Sequence, residues 1–164
     1  MNAIYTRRSV RQYSDKEVSL ETLDKLVRAG MQAPSAKNQQ PWRILVTKDK
    51  EKLQKLSGMS KMLESAAACI ILFYSEDVST LEMVGCDMGA CTQNILLECA
   101  SLGLGACWIG IPQRPNRIQI IMDTFNVPKG FVPYSVISLG YPQDTNANHF
   151  VDRYDSSKVF YEGF

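Results

Sequence analysis

Residues 7–13 read RRSVRQY and place three guanidinium groups, Arg7, Arg8 and Arg11, with the Ser9 hydroxyl inside five residues. Like charges this close repel, and an anion among them relieves the repulsion. The planar donor fork of arginine matches phosphate oxygens and a serine hydroxyl adds a donor, so the stretch reads as a phosphate cradle. A solvated basic turn is the alternative that the stretch alone leaves open. A second concentration of polar groups lies at 34–42, PSAKNQQPW, where amides and a hydroxyl sit between two prolines and a closing Trp42. A third stretch, GLGACWIG at 103–110, is punctuated by glycines that permit close backbone approach.

Global composition supplies no competing explanation. The 164 residues carry 18 basic and 17 acidic side chains, a net charge of +1, so nothing steers the whole chain toward nucleic acid or a membrane surface. A nucleic-acid reading of residues 7–11 lacks the wider basic surface that backbone binding needs. No apolar run reaches the ~20 residues of a membrane span, and the first residues carry no apolar signal core, so a cytoplasmic location is expected. Five cysteines form no CxxC pair and His149 is the single histidine, which leaves a zinc site short of ligands. Buried, reduced thiols acting as small hydrophobes are expected instead. No Ser-His-Asp set or paired carboxylates stand out, so no side chain is assigned a catalytic role.

The elements that must position these groups follow from periodicity. Leu20, Leu23, Leu26, Val27 and Met31 recur at helical spacing behind Ser19, an N-cap candidate. Residues 43–47 read as a strand, a short charged helix around Leu53 and Leu56 stops at Gly58, and a helical turn is expected at 60–64. Residues 66–74 are continuously apolar, as in a strand buried on both faces. Residues 80–102 read as one long helix, apolar all round and therefore buried, with a subunit interface as its candidate environment. A strand at 106–111, a helix opened by Pro115 and a strand at 131–141 complete one domain, residues 1–164. An aromatic-bearing tail follows, and aromatic residues on a terminal arm imply that it docks on something. The fold expected is α+β: a mixed sheet surrounded by helices, with a long buried central helix and a C-terminal arm.

Taken together, RRSVRQY, PSAKNQQPW about thirty residues later, and GLGACWIG before a strand ending GYP resemble the FMN-dependent nitroreductase family over nearly the whole chain. That resemblance implies a homodimer with FMN at the subunit interface, NADH or NADPH as electron donor, and a ping-pong transfer to a small acceptor such as a nitro compound or quinone. It places Arg7 and Ser9 on the FMN phosphate with Arg8 nearby, Arg11 at the pyrimidine edge of the ring, and Arg153 as the late basic residue of the phosphate site. Pro34, Ser35, Asn38 and Gln40 match the loop that reaches the flavin from the partner subunit. Ala106, Cys107, Trp108, Ile109 and Gly110 match the stretch along one face of the ring. Trp42 is expected to pack behind the loop, and Asp87, Gln93 and Asn94 to be structural groups of the long helix.

Larger members carry an insertion that builds a lid, whereas here only about twenty residues separate Thr47 from the strand beginning near Ala66. For a compact member the resemblance leaves two expectations open: a wide cleft that accepts many nitro or quinone compounds, or one too bare to hold a nicotinamide well. The competing reading is a flavin-binding protein for storage or redox sensing, in which Cys107 beside the ring responds to oxidation.

Overall fold

The computed structural model describes residues 2–164. Its organising element is a four-stranded sheet of order β1-β2-β4-β3, formed by Trp42–Thr47 (β1), Ala68–Ser75 (β2), Gly105–Gly110 (β3) and Phe131–Gly140 (β4). All three ladders are antiparallel. The mixed character expected of the sheet is therefore confined to one isolated parallel bridge, Ser9 with Ala106. That bridge matters, because it lays the arginine-bearing segment along β3.

Helices cover both faces, which explains why β2 reads as uninterrupted apolar sequence. Ile70 and Leu72 face Leu20–Met31 (α2) and Val84–Ser101 (α4), in a core shared with Ile137 and Leu139. Cys69, Ile71 and Phe73 face the other way, toward Lys50–Leu56 (α3) and Pro115–Phe125 (α5), in a core shared with Val136. Ile70, Ile71 and Leu72 are wholly buried, each contributing about 1.5–3 kcal/mol. The β2–β4 register shifts between Leu72 and Phe73, where Pro133 of β4 has no N–H to donate.

Local signals behave as their chemistry dictates. Ser19 caps α2 by accepting from the Thr22 N–H at 3.1 Å, and Pro115 opens α5. α2 lies close to α4, because a Cβ on Gly30 would sit 2.8 Å from Ile95 Cγ1. Near the N-terminus, Ala3–Thr6 (α1) forms a single turn that leads into the basic stretch.

Two expectations are corrected. The long helix starts at Val84 rather than near Thr80, after a separate turn at Leu81–Met83, and inside one copy its expected burial is incomplete, with Cys86 and Gln93 exposed. Of the cysteines, Cys69, Cys91, Cys99 and Cys107 are buried and Cys86 is not. The reason is shared: the sheet and α2 cover only part of the circumference of α4, and Cys86 lies on the strip left over. The tail from 150 onward is exposed along its length, with Phe150, Tyr154, Phe160, Tyr161 and Phe164 all more than half accessible. Phe160 and Phe164 pack on each other, with ring centroids 4.5 Å apart.

Candidate active site

The basic stretch is held by the sheet at two points. The Val10 N–H donates to the Ala106 carbonyl at 3.0 Å, and the Tyr13 hydroxyl lies 2.7 Å from the Val10 carbonyl and 2.8 Å from Ser138 Oγ. Both Val10 and Tyr13 are buried, so the residues between and before them have a fixed backbone. Gly105 is what permits the approach: a Cβ there would lie 2.6 Å from Val10 Cβ. The glycine thus makes room for the chain's own segment, rather than for a ligand.

Arg8 is the centre of the site. Its Nη1 donates to the Arg7 carbonyl at 2.8 Å, but Nε and Nη2 are shut away from solvent with no partner, a condition shared by no other side-chain nitrogen or oxygen among the described residues. Desolvation, then the nearby Arg153 and Arg7 cations, hold its pKa below the usual arginine value. None of the ion pairs among the described residues involves Arg7, Arg8, Arg11 or Arg153. Donors shut away from water without a partner are unfavourable, and here two of them sit on one guanidinium beside two other cations, an arrangement that suits an anion. The sequence marks Arg7 and Ser9 for that role; the orphaned donors belong to Arg8.

Arg11 Nη1 donates to the Ser9 carbonyl at 3.2 Å, which turns the guanidinium back along the segment. Burial pushes the Cys107 thiol pKa up, while Arg11, Ser9 and Arg7 beside it pull the other way with less effect. The cluster therefore lies against β3 at Cys107. Of the five β3 residues matched to the flavin, Ala106, Cys107 and Ile109 are buried by their own chain, and the Ala106 carbonyl is already used by Val10. Trp108, 36% exposed, and Gly110 are open. The Trp108 ring stands 6.2 Å from that of Tyr134, and the Arg117 guanidinium donates to the Gly110 carbonyl at 2.7 Å. Guanidinium donors at one end of an open strand with an exposed indole suit a flat ligand that carries an anionic group.

Pro34, Ser35, Asn38 and Gln40 lie elsewhere, in a loop tied to the start of α4. Ser35 Oγ accepts from the Gln40 N–H at 3.0 Å, and Gln40 Nε2 donates to Asn38 Oδ1 at 3.2 Å. Pro34, Asn38 and Gln40 are exposed, and Trp42 behind them is buried. Lys37, Asn38 and Gln40 have φ of 49°, 54° and 46°, a left-handed conformation that costs side-chain-bearing residues energy. Among the described residues, no hydrogen bond or ion pair joins this loop to Arg7, Arg8, Ser9, Arg11 or Arg153. Within one chain the loop and the arginine cluster are not brought together.

Asn148 was missed by sequence reasoning. Its Oδ1 accepts from the Arg8 N–H at 3.1 Å and its Nδ2 donates to the Leu104 carbonyl at 2.9 Å, which anchors the start of the tail beside the cluster. No spacing signal announces a partner 140 residues away. His149 is exposed and bonds only locally, to the Asn146 carbonyl. No group of three His, Cys, Asp or Glu side chains among the described residues could hold a metal, and no helix is long and apolar enough to cross a membrane.

The model of the nitroreductase family matches residues 4–71 and 58–141. An Archaeoglobus fulgidus protein provisionally named NADH dehydrogenase/NAD(P)H nitroreductase is 38% identical over 99% of this chain and 97% of its own length. A solved structure from Clostridium acetobutylicum, provisionally an NADH oxidase, superposes with a TM-score of 0.93 at 42% identity, covering 99% of each chain. The FMN-dependent nitroreductase of Clostridium difficile R20291 superposes with a TM-score of 0.90 at 30% identity, again over 99% of each chain.

Proposed function

The chain belongs to the nitroreductase family, and on that premise we propose that it is an FMN-dependent oxidoreductase drawing electrons from NADH or NADPH. The acceptor is a small electron-poor compound, a nitro compound or a quinone, and donor and acceptor use the same open face in turn, in ping-pong order. The observation that carries the reading is the Arg8 guanidinium, with two buried nitrogens unpartnered between Arg7 and Arg153.

When bound, FMN supplies the hydride and electron transfer, and the protein supplies binding, orientation and electrostatics. Arg8, Arg7, Arg153 and Ser9 hold the phosphate, a group of charge roughly −1.5 to −2 matched by charge-assisted bonds. Arg11, set back along the segment toward Cys107, offers positive charge to the pyrimidine edge of the ring, where negative charge develops on reduction. Trp108 and Gly110 leave the strand open to a flat ring. The Asn38 and Gln40 amides, exposed and remote from the cluster in their own chain, serve the site of a second copy, so the working unit is a homodimer. The uncovered strip of α4 and the aromatic tail are the surfaces that such a dimer would bury.

No lid closes the site. The residues between β1 and β2 form α3 and a turn at Lys61–Leu63, and Leu53, Leu56 and Leu63 are spent on the core beneath them. Access is broad, which fits turnover of several small acceptors. The redox-sensing alternative draws no support from Cys107, because a buried thiol with a raised pKa is a poor target for oxidants.

The test is a visible spectrum of protein desalted after addition of FMN, followed by NADH or NADPH without oxygen. Retained flavin that bleaches supports the reading. Flavin that stays oxidised rejects nicotinamide chemistry, and failure to retain flavin rejects the cofactor itself.

A further inference from the structure

We propose that Asp87 and Gln39 together form the anchor that holds the loop carrying Ser35, Asn38 and Gln40 in its flavin-reading shape, so that Asp87 is a positioning residue for a cofactor it does not touch. The proposal rests on the FMN reading above. Asp87 is a carboxylate on α4, 4% exposed, with no cation paired to it among the described residues. Both of its oxygens are used by the loop: Oδ1 accepts from the Ala36 N–H at 2.9 Å and Oδ2 accepts from Gln39 Nε2 at 2.7 Å.

Gln39 completes the link in a way that fixes its orientation. Its Nε2 also donates to the Thr80 carbonyl at 3.1 Å, while its Oε1 accepts from the Thr80 N–H at 3.0 Å. The side-chain amide therefore pairs with the Thr80 backbone as a peptide group would, and turning it over would set donor against donor and acceptor against acceptor. One residue is locked to two segments, the turn before α4 and α4 itself.

The locked residue sits between strained ones. Lys37 and Asn38 precede Gln39 and Gln40 follows it, all three with positive φ and none of them glycine. Such a conformation persists only where surrounding structure over-determines it. Here the over-determination is the four hydrogen bonds of Ala36 and Gln39, and its result is that Asn38 and Gln40 stand exposed with their amides paired to each other. The strain presents polar groups outward that a relaxed loop would turn elsewhere.

Asp87→Asn keeps the size of the side chain but can accept from only one of the two donors, because its new amide then faces either the Ala36 N–H or Gln39 Nε2. The expected result is that FMN and riboflavin both bind roughly tenfold or more weaklier than to wild type, as befits loss of a hydrogen bond to a charged group. Their affinity ratio stays as in wild type, since riboflavin lacks only the phosphate held by the arginines; Arg8→Ala changes that ratio. At saturating FMN the visible spectrum of the bound flavin in Asp87→Asn is also shifted, which a loss of stability alone would not produce. Wild-type affinity and an unshifted spectrum in Asp87→Asn would overturn the proposal. If that variant does not fold, Gln39→Ala cuts the same link from the loop side and is read by the same criteria. Failure of the wild type itself to bind FMN would overturn the cofactor reading instead.

Discussion

Gly105 and Val10 are in such close contact that a methyl group added to the glycine would lie 2.6 Å from Val10 Cβ and 2.6 Å from its Cγ1. The arginine segment thus reaches β3 only because position 105 has no side chain. Gly105→Ala should push Val10 off the strand at a cost of about 1–3 kcal/mol, and should weaken FMN binding because Arg7, Arg8 and Arg11 move with it. Thermal melts and FMN titrations check both effects. Val10→Ala in the same chain should recover part of each.

Arg8 separates stability from binding. Its Nε and Nη2 are buried without partners beside Arg7 and Arg153, so Arg8→Ala should leave the ligand-free protein at least as stable as wild type while lowering FMN retention. Inorganic phosphate should raise the melting temperature of wild type and do little for Arg8→Ala. Equal phosphate responses in the two proteins would remove Arg8 from the anion site.

Alkaline pH should destabilise the fold through its buried acids. Burial pushes the Cys69 and Cys91 thiols up to about 12 and raises the Tyr13 hydroxyl as well. The folded state then keeps protons that the unfolded chain releases from about pH 8.5 for cysteine and about pH 10 for tyrosine. Their stabilising effect is complete below about pH 8.5 and is lost as pH climbs toward 12, by at most about 1.4 kcal/mol per pH unit for each group. Urea unfolding at pH 7, 8.5 and 10 should show the decline, and Cys69→Ala should make it shallower.

Cys86 reports on assembly. It is the exposed thiol of the five and lies on the uncovered strip of α4. In a dimer that buries this strip, its labelling by a thiol reagent slows as protein concentration rises, in step with the mass measured by sedimentation. Concentration-independent labelling together with a monomer mass would remove α4 from any subunit interface.

The sequence by itself determined most of the local structure. Ser19, Pro115 and the apolar run of β2 act within a few residues, and their effects hold in the structure because hydrogen-bond caps, a fixed φ and side-chain periodicity are short-range. Residue types also pointed to the chemistry: clustered guanidinium groups raise the expectation of an anion, although the stretch alone left a solvated basic turn open. Only the tertiary structure decided which arginine is left unsatisfied, because that depends on what surrounds its guanidinium in space, including Arg153, 145 positions away. It likewise decided that Gly105 accommodates Val10, that Cys86 is open while the other four cysteines are covered, and that Asp87 hydrogen-bonds a loop 48 to 51 residues earlier. Burial and satisfaction are properties of what surrounds a group in space, and chain separation carries no record of that until the sheet and α4 bring the segments together.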